Sequence, residues 1–189
     1  RSVQRGADNT AFGYQALFGM SGDYYYNTAF GYQSLYNNNV HGNTAMGYQA
    51  LYSNVSGDRN TAVGMAAMAG LDSGYNNTAV GYAAMYNAGA APVGGGHDNT
   101  AVGLMSMGYL NDGRYNTAVG ALSLLFASGG TGGNTAVGSE AFYRCQNSDC
   151  GVAVGYGALR ENIMGQYNTA IGYKAGYNND SDGTGNAAY

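Results

Sequence analysis

The sequence predicts an all-β protein, a parallel β-solenoid or β-roll of about ten coils with a period of about 17 residues. Two observations predict this fold class. The phrase N-T-A-F-G at residues 9–13 is the first of ten copies that occur, with small changes, along the 189 residues. Large and small side chains also alternate within each copy, as they do in β-strands. Because the copies fill the chain, residues 1–189 are expected to form a single solenoid domain.

The spacing of the copies predicts one copy per coil. The motifs start at residues 9, 27, 43, 60, 77, 99, 116, 134, 151 and 168, so neighbouring starts lie 16 to 22 residues apart. A partial coil begins at residue 186. The differences in length fall at one place, upstream of the motif, which indicates a variable turn. Coils stacked about 4.8 Å apart would form a rod of roughly 45 Å.

Each coil is expected to contain two short strands. In the motif, Thr and a large apolar residue share one parity, whereas Asn, Ala and Gly share the other. A second strand is expected in Y-x-A-L-Y, after a glycine whose missing side chain suits a bend or a close approach of backbones. These glycines are Gly13, Gly31, Gly47, Gly64, Gly81, Gly103, Gly120, Gly138, Gly155 and Gly172.

The interior is expected to hold the large residues of both strands. Phe12, Leu17 and their copies would then face each other as two stacked ladders. The Ala, Gly and Tyr positions would face outward or toward a neighbouring chain. An outer face made of Ala and Gly is flat enough for another solenoid to pack on it.

The motif asparagines are expected to form a structural ladder. Identical amides stacked coil upon coil can hydrogen-bond along the stack and satisfy polar groups of the turn. The residues are Asn9, Asn27, Asn43, Asn60, Asn77, Asn99, Asn116, Asn134 and Asn168, and Gly151 replaces the asparagine in the ninth copy.

A helical fold is the alternative to the solenoid, because the segments Q-A-L-Y and A-A-M could each start a helix. The glycines that occur every few residues argue against helices.

Composition argues against several classes of partner. Only 10% of the residues are charged and the net charge is −4. Because the seven Lys and Arg residues are scattered singly, no basic patch for nucleic acid is expected. Apolar runs stay well short of the roughly 20 residues of a membrane helix, so membrane insertion is not expected.

The polar residues predict neither catalysis nor a cofactor. His41 and His97 are the only histidines, and both are expected in solvated turns. His97 and Asp98 come nearest to a catalytic pair, but no nucleophile lies at a spacing that would complete a triad with them. Neither the EF-hand spacing nor another strong metal-ligand pattern occurs, and only Asp180 and Asp182 in the final turn could hold a cation weakly. The protein is therefore expected not to be an enzyme, with no catalytic residue, cofactor or metal site.

The repeat resembles two groups of surface proteins. N-T-A-[V/F/I]-G resembles the N-S-V-A-I-G signature of trimeric autotransporter adhesin heads, whose chains form left-handed parallel β-rolls and associate as trimers. The longer phrase N-T-A-[V/I/F]-G-Y-x-A-L is similar to repeats of phage tail-fibre and bacterial surface proteins. The likeness covers about residues 6–177, although the coils here are longer and more variable than those of the adhesin head. It implies trimerisation and surface attachment.

Two cysteines are expected to form a small disulfide. Cys145 and Cys150 flank the turn before the ninth copy, which reads G-V-A-V-G and lacks the motif Asn and Thr. A disulfide would hold the turn where the ladder is interrupted, and it would fit an extracellular protein. Free thiols, and less readily a metal site, are the alternatives.

The tyrosines after the invariant glycine admit two interpretations. Stacked aromatic side chains stabilise a solenoid through same-face neighbours, whereas exposed tyrosines are also good at binding sugars and protein surfaces. These possible surface-binding residues are Tyr14, Tyr32, Tyr48, Tyr82, Tyr156 and Tyr173.

The N-glycosylation pattern is matched at three positions, Asn54, Asn76 and Asn179.

Together these features predict a non-enzymatic extracellular structural protein, secreted, on a cell surface or on a virion. The first hypothesis is a fibre segment of a trimeric adhesin or tail fibre that presents an adhesive surface to a host glycan or protein. The second is a filament subunit stacked end to end, in which the next subunit covers the partial coil. An ice-binding or carbohydrate-binding solenoid is a further alternative. Ice binding is disfavoured because the Thr side chains are expected to point to the same side of the strand as the core residues.

Overall fold

The computed structural model describes residues 7–87, 96–128, 132–146, 149–163, 165–179 and 187–188. Regular structure in these residues consists of short β-strands without a helix, as the sequence predicts. The strands are β1 (Thr10–Phe12), β2 (Thr28–Phe30), β3 (Thr44–Met46), β4 (Thr61–Val63), β5 (Thr78–Val80), β6 (Thr100–Val102), β7 (Tyr109–Leu110), β8 (Thr117–Val119), β9 (Phe126–Ser128), β10 (Thr135–Val137), β11 (Arg144–Gln146), β12 (Val152–Val154), β13 (Glu161–Asn162), β14 (Thr169–Ile171) and β15 (Ala187–Ala188).

The motif strands form one long parallel sheet in the order β1-β2-β3-β4-β5-β6-β8-β10-β12-β14-β15. From β1 to β10 each Thr pairs with the Thr of the next coil, and Thr78 pairs with Thr100 across the longest interval. In the ninth coil Val152 takes this place and pairs with Thr135. The partial coil continues the register, because Thr169 pairs with Ala187. The prediction of a parallel β-solenoid is thereby confirmed, with about nine turns of about 17 residues.

The second strand was predicted in the wrong place. Y-x-A-L-Y is a turn in which Gln15 and Leu17 both have φ of 53°. Alternate residues in the left-handed region are incompatible with an extended strand. The second sheet, in the order β13-β11-β9-β7, lies further along the coil and, among the described residues, spans the sixth to ninth coils.

The orientation predicted for the motif strand was also wrong. Ala29 is fully buried, whereas its neighbour Phe30 is 51% exposed. Leu35, from the segment after the glycine, is fully buried as expected. The narrow interior thus packs large side chains such as Leu35 against a ladder of alanines. The buried asparagines share the parity of Ala, so the polar ladder and the small residues face inward together.

Left-handed backbone recurs at fixed places in every coil. In the second coil these places are Tyr26, Gln33 and Leu35, with φ of 63°, 52° and 50°. Such conformations cost roughly 1–2 kcal/mol for each residue other than glycine. Hydrogen bonds between coils offset part of this cost: the Gln33 N–H donates to Tyr14 O at 2.8 Å, and the Leu35 N–H donates to Ala50 O at 3.0 Å.

The invariant glycines allow the closest approach between coils. Gly31 has φ of 136°, and a Cβ added there would lie 2.4 Å from the Gly47 carbonyl oxygen. Each of the ladder glycines from Gly13 to Gly155 meets the next coil in the same way. A side chain at this position would force neighbouring coils apart.

Candidate binding surfaces

The motif asparagines lie inside the solenoid. The Asn60 Oδ1 accepts a hydrogen bond from the Asn77 backbone N–H at 2.9 Å, and the Asn60 Nδ2 donates to Gly74 O at 2.8 Å. This arrangement satisfies backbone groups of two coils with one buried side chain. At the first coil, Asn9 is only partly buried and its Nδ2 donates to Tyr24 O at 2.6 Å. The ladder therefore stabilises the stack and offers no surface for a ligand.

The outward side chains of the eleven-stranded sheet form a continuous uncharged surface, here called the outer face. It consists of a threonine ladder and an apolar ladder, and all of these side chains are at least partly exposed. The threonines are Thr10, Thr28, Thr44, Thr61, Thr78, Thr100, Thr117, Thr135 and Thr169, and Val152 takes the place in the ninth coil. The apolar residues are Phe12, Phe30, Met46, Val63, Val80, Val102, Val119, Val137, Val154 and Ile171.

The six tyrosines singled out from the sequence are all exposed, beyond the glycine bend. They form two separate stacks. Tyr32 stacks on Tyr14 and on Tyr48 with ring centroids 5.3 and 5.2 Å apart, and Tyr156 stacks on Tyr173 at 5.6 Å. Tyr82 stands between these stacks without a ring contact to any described residue.

Two further ladders run beside the first tyrosine stack. The Gln33 Nε2 donates to the Gln15 Oε1 at 2.8 Å, and the Gln49 Nε2 donates to the Gln33 Oε1 at 3.0 Å. Next to the glutamines, Tyr36 stacks on Phe18 at 5.4 Å and on Tyr52 at 5.1 Å. In the first three coils, stacked side chains therefore cover this side of the solenoid.

All three ladders are interrupted at the fourth coil, which leaves an open depression, here called the coil-four cleft. The last rungs before the gap are Tyr48, Gln49 and Tyr52. One lobe of the cleft, of ≈ 280 Å³, is lined by Tyr48, Gln49, Met65, Ala66, Tyr82, Ala83, Tyr86, Met105 and Tyr109. The other lobe, of ≈ 270 Å³, is lined by Gln49, Tyr52, Ser53, Ala69, Gly70, Tyr86 and Asn87.

The sequence contains a signal for this cleft. In the fourth copy Ala66 stands where the first three copies have Gln, and Ala69 stands where they have Phe or Tyr. The importance of these changes depends on which positions share a surface. A strand in this segment would place Ala66 and Ala69 on opposite faces, so the prediction of a strand hides the cleft.

The predicted disulfide is not present. Cys145 lies in β11 with its side chain in the core, whereas Cys150 is exposed in the turn that follows, and both residues are thiols. The register explains the separation, because Cys145 pairs with Ala127 inside the second sheet. Cys150 instead precedes the ninth motif, where its backbone is left-handed with φ of 55°.

The two histidines occupy different environments. The exposed His41 accepts a hydrogen bond at Nδ1 from the Tyr25 N–H at 3.0 Å. The prediction that His97 is solvated was wrong: it is only 8% exposed. It stacks on Tyr75 at 4.6 Å, and its Nδ1 lies 2.8 Å from the Asp98 Oδ2. Hydrogen bonds from Asn76 and His97 lower the pKa of Asp98.

Arg160 is the centre of a small ionic and aromatic cluster. Its Nε donates to the Glu140 Oε2 at 2.6 Å and its Nη1 donates to Glu161. Its guanidinium lies over the Tyr143 ring, 4.4 Å from the centroid. The hydrogen bond to Glu140 raises the pKa of Arg160. The cluster links neighbouring coils.

The three possible glycosylation asparagines differ in accessibility. Asn54 is fully buried and donates to Asn38 and to Gly57, so the folded protein does not expose its amide. Asn76 is exposed and donates to the Asp98 Oδ1 at 2.9 Å. The partly buried Asn179 donates to Asn162.

Within the described ranges, no three His, Cys, Asp or Glu side chains lie close enough together to hold a metal ion. The same residues contain no helix that is long and apolar enough to cross a membrane. Comparison with protein-family models, curated proteins and solved structures gives no match. Function is therefore inferred from the outer face and the cleft.

Proposed function

We propose that this protein is a non-enzymatic extracellular fibre segment that associates with copies of itself through the outer face and presents an adhesive surface. The observation that carries the proposal is the apolar ladder along the outer face. Phe12 is 66% exposed, Met46 45% and Ile171 48%. Apolar side chains exposed over a rod of roughly 45 Å are costly in water unless another surface covers them.

The geometry of the outer face favours a second copy of the chain as its cover. Its rungs repeat in register from coil to coil, so a parallel copy meets the same side chains at the same spacing. A symmetric, self-complementary surface of this kind is typical of homo-oligomers. The absence of charged side chains from the face removes repulsion between identical copies. The extracellular location follows from the resemblance of the repeat to adhesin and tail-fibre proteins.

Size measurement tests this proposal. Sedimentation velocity of the purified chain at about 10–100 µM should show a trimer or a larger assembly, and Val80→Lys with Val119→Lys should shift it to monomer, because lysine ammonium groups are rarely buried unpaired. Val55→Lys is the matched control, since Val55 is 48% exposed but lies away from the outer face. A wild-type chain that stays monomeric over this range would overturn the proposal.

Electron microscopy separates the two forms of assembly. Discrete rods of one length support a trimeric adhesin-like or tail-fibre-like segment. Long filaments support the end-to-end arrangement, in which β1 of one subunit extends the parallel sheet at β15 of the next subunit. The outer-face lysine variants should thin side-by-side rods to the width of a single solenoid. End-to-end filaments, which do not use the outer face, should stay intact.

Ice binding is a second candidate because the structure removes the argument against it. Thr78 and its copies do not share the parity of the core: they face outward beside the apolar ladder. A flat, uncharged and regularly spaced Thr ladder suits an ordered water lattice. A thermal-hysteresis assay tests the idea, and Thr61→Lys with Thr78→Lys should abolish any activity. Absence of hysteresis in the wild-type chain would remove this candidate.

A further inference from the structure

We propose that the coil-four cleft binds a neutral oligosaccharide, one sugar ring of which inserts between Tyr52 and Tyr86. The proposal deepens the adhesive part of the proposed function by naming a site and a ligand class. Its starting point is the place where the three side-chain ladders are interrupted together.

The spacing of the interruption fits one ring. Tyr36 and Tyr52 stack 5.1 Å apart because they belong to neighbouring coils. Ala69 occupies the next rung, and Tyr86 follows one coil later, so Tyr52 and Tyr86 are separated by two coil spacings, or about 9.6 Å. A flat ligand ring midway between them would lie about 4.8 Å from each tyrosine, which is a stacking distance. The ligand would take the place of the missing aromatic rung.

Aromatic surface is available on more than one side of the cleft. Tyr82 is 50% exposed and Tyr86 is 41% exposed. Within the described part of the chain neither ring contacts another ring. Tyr109 stacks on Phe126 at 5.2 Å, which makes it the end of a separate stack that begins at the cleft. The exposed faces at the gap are therefore available to stack against the C–H face of a sugar.

A hydrogen-bond acceptor also remains unused at the edge of the cleft. Along the glutamine ladder each Oε1 accepts from the glutamine of the following coil, as Gln33 does from Gln49 at 3.0 Å. Ala66 follows Gln49 and has no side-chain donor. Among the described residues nothing donates to the Gln49 Oε1, and a sugar hydroxyl would supply that hydrogen bond. Ser53 and Asn87 line the same lobe and offer further polar contacts.

The lining selects against other ligand classes. Neither lobe is lined by an acidic, basic or histidine side chain, so sulfated, sialylated and phosphorylated ligands gain no ion pair. A phenylalanine side chain would fill the space between Tyr52 and Tyr86 but has no donor for the Gln49 Oε1. Tyrosine faces with amide and hydroxyl groups at the edge fit a neutral pyranose, which is apolar on its faces and polar around its rim.

Direct binding tests the proposal. The purified chain is applied to a glycan array and titrated by calorimetry with cellohexaose, laminarihexaose, maltohexaose and mannohexaose. At least one neutral glycan is expected to bind. Ala69→Tyr, which restores the missing rung, should weaken that binding by about tenfold or more, because the inserted ring occupies the ligand position. Ala66→Gln, which extends the glutamine ladder, should weaken it in the same direction.

Ala121→Tyr provides the matched control, because Ala121 holds the tyrosine-ladder position in the seventh coil, away from the cleft. This variant should bind as the wild type does. Failure of every neutral glycan to bind, preference for charged glycans, or equal affinity of wild type and Ala69→Tyr would each overturn the proposal. Sedimentation of the same samples keeps the two proposals apart: a monomeric chain that binds a glycan overturns only self-association, and an oligomer that binds none overturns only the cleft.

Discussion

The Asn134 Oδ1 accepts a hydrogen bond from the Gly151 backbone N–H at 2.9 Å, so the asparagine ladder continues into a coil that has lost its asparagine. The reason for the loss lies across the core. A Cβ at Gly151 would come within 2.5 Å of the Phe142 Cζ. Phe142 is the one phenylalanine at the buried Leu position, and its ring fills the space that an Asn side chain occupies elsewhere.

This relationship predicts a strong coupling between the two positions. Gly151→Asn should lower the free energy of unfolding by about 1–3 kcal/mol through overpacking, and Phe142→Leu should lower it by roughly 1 kcal/mol through lost contacts. The double variant should be more stable than the sum of these effects by about 0.5–3 kcal/mol, because a leucine leaves room for the amide. Urea unfolding of all four proteins measures the cycle, and additive losses would contradict this explanation.

Removing one asparagine side chain from the ladder should lower the stability of the fold more than the small size of the side chain suggests. Asn60→Ala leaves the Asn77 N–H and the Gly74 carbonyl without their partner. Because both groups are buried, we expect the free energy of unfolding to fall by about 2–4 kcal/mol. Denaturant unfolding measures the loss. The exposed Asn111 is the control, and Asn111→Ala should change stability by less than about 0.5 kcal/mol.

The glycine ladder should tolerate no side chain. In Gly81→Ala the added Cβ would lie 2.4 Å from the Gly103 carbonyl oxygen, at a backbone φ of 138°. We expect a loss of about 3 kcal/mol or more, since neither backbone can give way without breaking coil-to-coil hydrogen bonds. Gly22→Ala is the comparison, because its Cβ would meet only the movable Tyr24 ring at 3.1 Å. Equal melting temperatures for the two variants would argue against close coil approach as the cause.

The Asp98 cluster predicts a pH-dependent contribution to stability. Hydrogen bonds from Asn76 and then His97 lower the pKa of Asp98 in the folded state. A carboxyl group with a lowered folded pKa stabilises the fold fully above its ordinary pKa of about 3.9, and this contribution disappears as the pH falls through the lowered value.

Melting temperatures measured between pH 7 and pH 2 test this expectation. The Asp98→Asn variant should lose less stability over that range than the wild type, because it has no carboxylate to protonate. The exposed Asp23 supplies the control, and Asp23→Asn should follow the wild-type curve. Parallel curves for wild type and Asp98→Asn would show that the cluster does not contribute.

Several features were predictable because they follow from repetition. Equal motifs about 17 residues apart imply equal coils, so parallel pairing, register and the position of variable turns required no knowledge of side-chain contacts. The closeness of the coils at Gly31 was also foreseeable, since an invariant glycine indicates either a bend or a close approach.

The failures share a physical cause. Hydrophobicity suggested that Phe12 faces inward, but the interior already contains a leucine ladder and a hydrogen-bonded Asn ladder, which leave room only for alanine. Left-handed residues such as Gln33 and Leu35 are unusual outside glycine, so nothing local distinguished their turn from a strand. The predicted disulfide failed because Cys145 lies in β11 and faces the core, whereas Cys150 lies beyond that strand and is exposed.

The sequence by itself determined the repeat, the stacking direction and the register of this protein, because identical units pair most simply with themselves. Only the tertiary structure decided which side of each strand is outside and where the ladders on the surface are interrupted. Those features depend on the width of the interior and on the direction in which the chain turns after the glycine. The apolar outer face and the coil-four cleft are consequences of that geometry, and both functional proposals follow from them.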